Sequence, residues 1–138
     1  MTVIDMQRMR YINLLDKFSR VKTSKCFIHN NAVFFAVARG QVVRAIGPAA
    51  SNVKRLQDNI GKRIRIIREE EGISDAKRFI EDIVAPVRIK SVDIDGEVLV
   101  VTSGNNQSKA SLIGRDKRRY EELRKIVQDY FGKDLKIV

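Results

Sequence analysis

The chain has 138 residues, enough for one ordinary domain or two small ones, and its 43% hydrophobic content supports a packed core rather than disorder. No apolar run approaches the roughly 20 residues a membrane span needs, and the N-terminal segment lacks the basic-then-apolar order of a secretory signal. A single cysteine excludes an intrachain disulfide and a cysteine-based zinc site, while a net charge of +10 favours polyanionic partners.

In chain order, residues 5–20 read as an amphipathic helix, with Tyr11, Leu14, Leu15 and Phe18 on one face. Strands over 25–29 and 33–38 follow, separated by Asn30-Asn31, a pair that tolerates tight turns. Val33, Phe35 and Val37 alternate with Phe34, Ala36 and Ala38, so both faces of this strand are expected to be covered. Gly40 breaks it, and a short helix over 41–46 leads to Gly47. Pro48 suits a first helical position, and the helix that follows turns Val53, Leu56 and Ile60 inward before stopping at Gly61. A strand over 63–67 closes this unit.

The order then repeats. A helix capped by Ser74 carries Ala76, Phe79, Ile80, Ile83 and Val84 as its stripe and ends at Pro86. Strands over 87–94 and 97–103 flank Asp95-Gly96, a hairpin signal, with a change of apolar phase that predicts a bulge near Lys90-Ser91. Next come a short helix to Ile113, a turn at Gly114, and a longer helix bearing Tyr120, Leu123, Val127 and Tyr130. Gly132 caps it before a last strand over 135–138. Both halves read helix-strand-strand-helix-helix-strand, giving domains over 1–72 and 73–138. The Glu69–Ile73 junction is short enough to imply a nearly fixed pairing, with Glu69-Glu70-Glu71 as solvated surface.

Chemistry concentrates at the two glycine turns, which lie 67 residues apart. Each follows an isoleucine and precedes a basic helix, whose first amides and dipole favour a phosphate above the turn. The first turn assembles Arg44, Ile46, Gly47, Pro48, Ala49, Ala50, Asn52, Lys54 and Arg55, and Arg65 on the closing strand shares its sheet face with Arg63. The second assembles Lys109, Ile113, Gly114, Arg115, Asp116, Lys117, Arg118 and Arg119. Residues 1–72 hold 14 Lys/Arg against 6 Asp/Glu, and residues 73–138 hold 13 against 11, so the first half is expected to supply more phosphate attraction. Asp116 in the second turn repels a phosphate path, which ranks that turn the weaker site. Ala50 is expected to have ordinary helical angles.

Nothing points to catalysis. One histidine, one cysteine and no phosphate-loop, zinc-protease or nucleophile-elbow motif argue against an enzyme, a metal or a cofactor. His29 reads as structural or exposed, Cys26 as a small buried apolar residue, and Phe27, Phe34 and Phe35 as core.

The duplicated order, with Ile-Gly at each helix–helix junction, resembles the type II KH domain. That resemblance implies an α+β fold of two tandem type II KH domains, each a mixed three-stranded sheet backed by helices. It also implies a groove whose loop clamps about four nucleotides of single-stranded RNA. The family's Gly-x-x-Gly loop departs here at its fourth position, Ala50 in one copy and Lys117 in the other. The close tandem, carried by Val43-Arg44-Ala45-Ile46-Gly47, Asn52-Val53-Lys54-Arg55-Leu56 and Leu112-Ile113-Gly114-Arg115-Asp116, is similar to the KH pair of the NusA transcription termination/antitermination factors, particularly their short archaeal form. The implied function is single-stranded RNA binding in transcription elongation, termination or antitermination, through a continuous tandem surface on a cytoplasmic monomer with no membrane contact. RNA polymerase is a second implied partner. The alternatives are a ribosomal or ribosome-assembly KH protein, and a polymerase-docking adaptor for which RNA is secondary.

Overall fold

The computed structural model describes residues 3–138 and divides into two compact units, the first running to Glu69 and the second covering Glu70–Val138. Residues 1 and 2 of the expected first domain lie outside the described residues.

In the first unit, helix α1 (Val3–Ser19) is followed by strands β1 (Lys25–His29) and β2 (Ala32–Val37), helices α2 (Val42–Ile46) and α3 (Ser51–Ile60), and strand β3 (Arg63–Arg68). β2 is central, antiparallel to β1 and parallel to β3. Asn30 and Asn31 both take positive φ, 50° and 60°, as the tight two-residue hairpin between β1 and β2 requires. Tyr11 and Leu15 of α1, Leu56 of α3, and Val33, Phe35 and Val37 of β2 build one apolar core, with Leu14, Phe18, Val53 and Ile60 packed against it. The other face of β2 is buried as well, so all six of its residues are removed from water. There Phe27 and Phe34 stack at 5.3 Å, and His29 meets Phe34 edge-on. His29 is thus a core residue, and so is Cys26, whose thiol burial pushes up to about 12.

The second unit repeats the plan with α4 (Ala76–Val84), β4 (Ser91–Asp95), β5 (Val98–Thr102), α5 (Asn106–Ile113), α6 (Arg118–Phe131) and β6 (Asp134–Ile137). β5 is central, antiparallel to β4 and parallel to β6. Leu99, Val101, Leu112, Leu123 and Val127 are all buried, and Phe79 of α4 meets Tyr130 and Phe131 edge-on. The architecture is mixed α+β, two three-stranded mixed sheets each backed by helices, consistent with two tandem KH-like domains.

Several local expectations need correction. Ser74 does not cap the fourth helix: it lies in a 3-10 turn, Ile73–Asp75, and α4 starts at Ala76. Asp75 dominates here because its carboxylate accepts the Glu71 amide and binds Arg78, which a serine hydroxyl could not match. Residues 87–90 are not strand, and β4 starts only at Ser91. Just before its foot the Lys90 amide donates to the Thr102 carbonyl at 2.7 Å, and the register begins with Ser91 opposite Thr102. The tight turn between β4 and β5 consists of Gly96 and Glu97, with Asp95 still paired to Val98. Glu69 and Glu70 are half-buried rather than solvated. The Glu69 amide donates to the Val37 carbonyl, and its carboxylate pairs with Lys25 at 3.6 Å.

Candidate nucleic-acid interface

Each glycine turn joins two helices that lean on the edge of a sheet. Gly47 takes φ 79°, ψ 165° and Gly114 φ 74°, ψ 175°, a region open to glycine and nearly closed to other residues. Each glycine amide closes the preceding helix, Gly47 on the Val43 carbonyl at 3.0 Å and Gly114 on the Ala110 carbonyl at 2.9 Å. The residues that follow are left-handed in both copies: Ala49 (φ 54°, ψ 32°) and Ala50 (φ 58°, ψ 31°), Asp116 (φ 54°, ψ 28°) and Lys117 (φ 60°, ψ 22°). Ala50 therefore lacks the ordinary helical angles expected of it, and α3 starts at Ser51 after a 3-10 turn, Pro48–Ala50. In both turns the passage from one helix to the next runs through these two left-handed residues. For a residue with a Cβ each such step costs about 1–2 kcal/mol.

A side chain fastens each turn from the following helix. Asn52 donates its amide to the Arg44 carbonyl at 3.2 Å, and Arg119 donates to the Ser111 carbonyl at 3.1 Å. These pairs occupy equivalent places, 67 residues apart, with different chemistry for one task. The glycines make room for them. A Cβ at Gly47 would stand 2.8 Å from Asn52 Nδ2, and one at Gly114 2.8 Å from Arg119 Cγ. Asn52 and Arg119, read in the sequence as RNA contacts, are placed here as braces, Asn52 buried and Arg119 half-buried.

The rest of the predicted set spreads around the turns. Arg44, Pro48, Ala49, Lys54 and Arg55 are exposed, and Ile46, Gly47 and Ala50 are half-buried. Arg65 is half-buried, its guanidinium 5.5 Å over the Phe34 ring on the sheet face away from α3. In the second unit Arg115, Asp116, Lys117 and Arg118 are exposed. Lys109, Ile113 and Lys117 come together with Tyr120, Lys136 and Ile137 around a groove of about 320 Å³. Sequence reasoning missed Lys136 and Ile137 as groove residues and treated Tyr120 as core. The missing signal was strand order, since parallel pairing on β5 makes β6 an edge lying against the α5–α6 turn.

That edge carries backbone polar groups. The Asp134 amide donates to the Glu97 carbonyl and that of Val138 to the Val101 carbonyl, both at 2.9 Å. Alternate residues of β6 thus face β5, and Leu135 and Ile137 turn their backbone groups outward. Those of Leu135 are satisfied: its amide by Asp134 Oδ1, its carbonyl by the Tyr120 hydroxyl, each at 2.8 Å. Those of Ile137, a residue that lines the groove, point away from β5. In the first unit the Glu69 amide bonds β2, which turns Ile66 outward in the same way. The site can hold a phosphate at the turn and offer a donor and an acceptor to a base edge beside it.

Among the described residues, no helix is long and apolar enough to cross a membrane, and no cluster of His, Cys, Asp and Glu is placed to hold a metal ion.

No family model matches the chain. It is 25% identical over 128 residues to a probable transcription termination protein NusA of Halococcus morrhuae, covering 91% of this chain and 90% of that one. It is 27% identical to the protein of the same name from Methanocaldococcus jannaschii, over 85% of this chain and 64% of that one. The one from Methanococcus vannielii is 32% identical over 59% of this chain and 45% of its own length. The chain thus spans most of the first relative but under two-thirds of the other two. A solved structure titled "Crystal structure of APE1850" superposes with a TM-score of 0.67 at 24% identity, over 96% of this chain and 97% of that one, a likeness of fold. With matching names at modest identity and duplicated glycine turns on a shared fold, the chain is consistent with an archaeal NusA-like protein.

Proposed function

We propose that this chain binds single-stranded RNA over its two glycine turns and acts in transcription termination or antitermination. One observation carries the RNA reading. Each turn brings a helix start, a basic surround and an edge strand with outward backbone groups to one place, and the chain builds that arrangement twice from different side chains. A single strand can lay its phosphates over the turn and its bases along the edge, whereas a duplex has its base edges occupied. The transcriptional role is supported by the names of the relatives. RNA polymerase contact belongs to the same reading as a secondary partner.

A binding selection from random single-stranded RNA, run beside a DNA pool of equal length, tests this directly. Enrichment of RNA over DNA is expected, because the 2′-hydroxyl adds a donor and an acceptor at each nucleotide. Failure of the RNA pool to bind at about 50 mM salt would remove the reading.

A further inference from the structure

The two glycine turns are equivalent in backbone, and the side chains around them differ in character. In the second unit Lys109, Lys117 and Lys136 surround the groove together with Ile113, Tyr120 and Ile137. The 67-residue offset maps Lys109, Ile113, Lys117 and Tyr120 onto Val42, Ile46, Ala50 and Val53. Strand register maps the other two. Lys136 pairs with Val100 one residue past Leu99↔Leu135, as Arg65 pairs with Phe34 one residue past Val33↔Ile64, so Lys136 and Ile137 correspond to Arg65 and Ile66. These six positions of the first unit are therefore apolar except Arg65, whose guanidinium is drawn over the Phe34 ring. Its basic residues stand on the flank instead, at Arg44, Lys54 and Arg55, all exposed. At the positions equivalent to Lys54 and Arg55 the second unit has Glu121 and Glu122.

The low net charge of the second half conceals this. Its acidic residues lie elsewhere or are engaged. Asp93, Asp95 and Glu97 are exposed on the β4–β5 hairpin, and β4 is the edge opposite β6. Asp75 and Asp82 bind Arg78, and Asp134 binds Arg124 at 2.6 Å, with Glu121 3.7 Å from the same guanidinium. Asp116 is the carboxylate left at the turn itself, against Arg115, Lys117 and Arg118. Position 115 also carries a backbone amide that Pro48 cannot offer in the first turn.

We infer that the two units grip one RNA by different chemistry: the second groove takes phosphates among Lys109, Lys117 and Lys136, and the first takes bases against Val42, Ile46, Val53 and Ile66. The second unit is then the electrostatic, sequence-independent anchor and the first the source of base preference, the reverse of the ranking that charge counting suggests. This inference rests on the RNA-binding reading above.

The test compares two eight-nucleotide probes, a base-bearing RNA and an abasic ribose-phosphate strand, on three proteins: wild type, K109Q/K117Q/K136Q and K54Q/R55Q. The wild type should bind both probes. The triple variant should lose at least tenfold on the abasic strand, and its log affinity against log salt should flatten by about 2, at roughly 0.7 per lost phosphate contact. K54Q/R55Q should lose less on the abasic strand than the triple variant does. Circular dichroism and urea midpoints of the variants should match wild type, because none of the substituted lysines is buried. If wild type binds base-bearing RNA and the triple variant keeps both affinity and slope, the inference is wrong and the RNA reading stands. If wild type ignores the abasic strand while the triple variant loses base-bearing RNA, the second groove holds bases and the inference is again wrong. If wild type binds neither probe, the RNA reading fails and the inference with it.

Discussion

Replacing Ala50 by glycine should stabilise the first unit, although the same exchange inside a helix would weaken it. Ala50 immediately precedes α3 with φ 58° and ψ 31°. A left-handed residue with a Cβ costs about 1–2 kcal/mol, and glycine escapes that cost. Against this, glycine gives the unfolded chain extra freedom worth roughly 0.4–1 kcal/mol. The balance is a gain of about 0.5–1 kcal/mol. At a right-handed helical position Ala→Gly instead loses about 1 kcal/mol, so the sign of the effect reports the handedness. Urea denaturation followed by circular dichroism measures it, with the midpoint expected to rise and the slope to stay constant. Lys117→Gly in the second turn, at φ 60° and ψ 22°, should behave alike, with the loss of one exposed charge as the sole addition. A midpoint lowered by an amount equivalent to 0.5 kcal/mol or more in both variants would refute the left-handed geometry and the account of the turn built on it.

Gly47→Ala should destabilise by about 2 kcal/mol or more, through its positive φ and the crowding of Asn52, and Asn52→Ala by about 1–3 kcal/mol through the Arg44 carbonyl it leaves unmet; both are read from the same urea curves. Arg124 donates to Asp134 and holds that carboxyl below its ordinary value of 3.8. The pair therefore stabilises the fold fully above that value, and the contribution is lost as pH falls below it through the depressed value of the folded state, so Asp134→Asn should flatten the acid limb of a stability–pH profile while leaving its alkaline limb unchanged in slope. Removing Lys54 and Arg55 together should flatten the salt dependence of RNA affinity by roughly one unit or more, measured by fluorescence titration across a salt series. A flexible Gly/Ser insertion after Glu71 should weaken binding of long RNA, by lowering the effective concentration of the second contact, and leave short RNA untouched.

The parts of the fold that follow local rules were legible in the sequence. Tyr11 and Leu15, and again Leu56 and Ile60, recur at helical spacing, Asn30-Asn31 and Gly96 punctuate hairpins, and Gly61 and Gly132 end helices in the left-handed region. The glycine turns were visible because they recur in matching surroundings. What was illegible depends on partners distant in sequence. Asn52 and Arg119 look like solvent-facing polar residues until the carbonyls of Arg44 and Ser111 come within hydrogen-bond reach, eight residues back in each case. Lys136 is an ordinary alternating strand residue until parallel pairing makes β6 the edge beside Lys109 and Lys117. The left-handed angles of Ala50 could not be inferred from alanine, which disfavours them; they belong to the turn between α2 and α3.

The central claim is that RNA lies over the two glycine turns and along the adjoining strand edges. Amide chemical shifts of the ¹⁵N-labelled chain, followed during titration with a single-stranded RNA, test it residue by residue. The account predicts that the shifts concentrate on Gly47, Ala49 to Ser51 and Ile66, and on Gly114 to Arg118 and Ile137, and that P48D/A49D abolishes those in the first unit alone. Shifts centred instead on the acidic β4–β5 hairpin or on α1, with both turns silent, would contradict it.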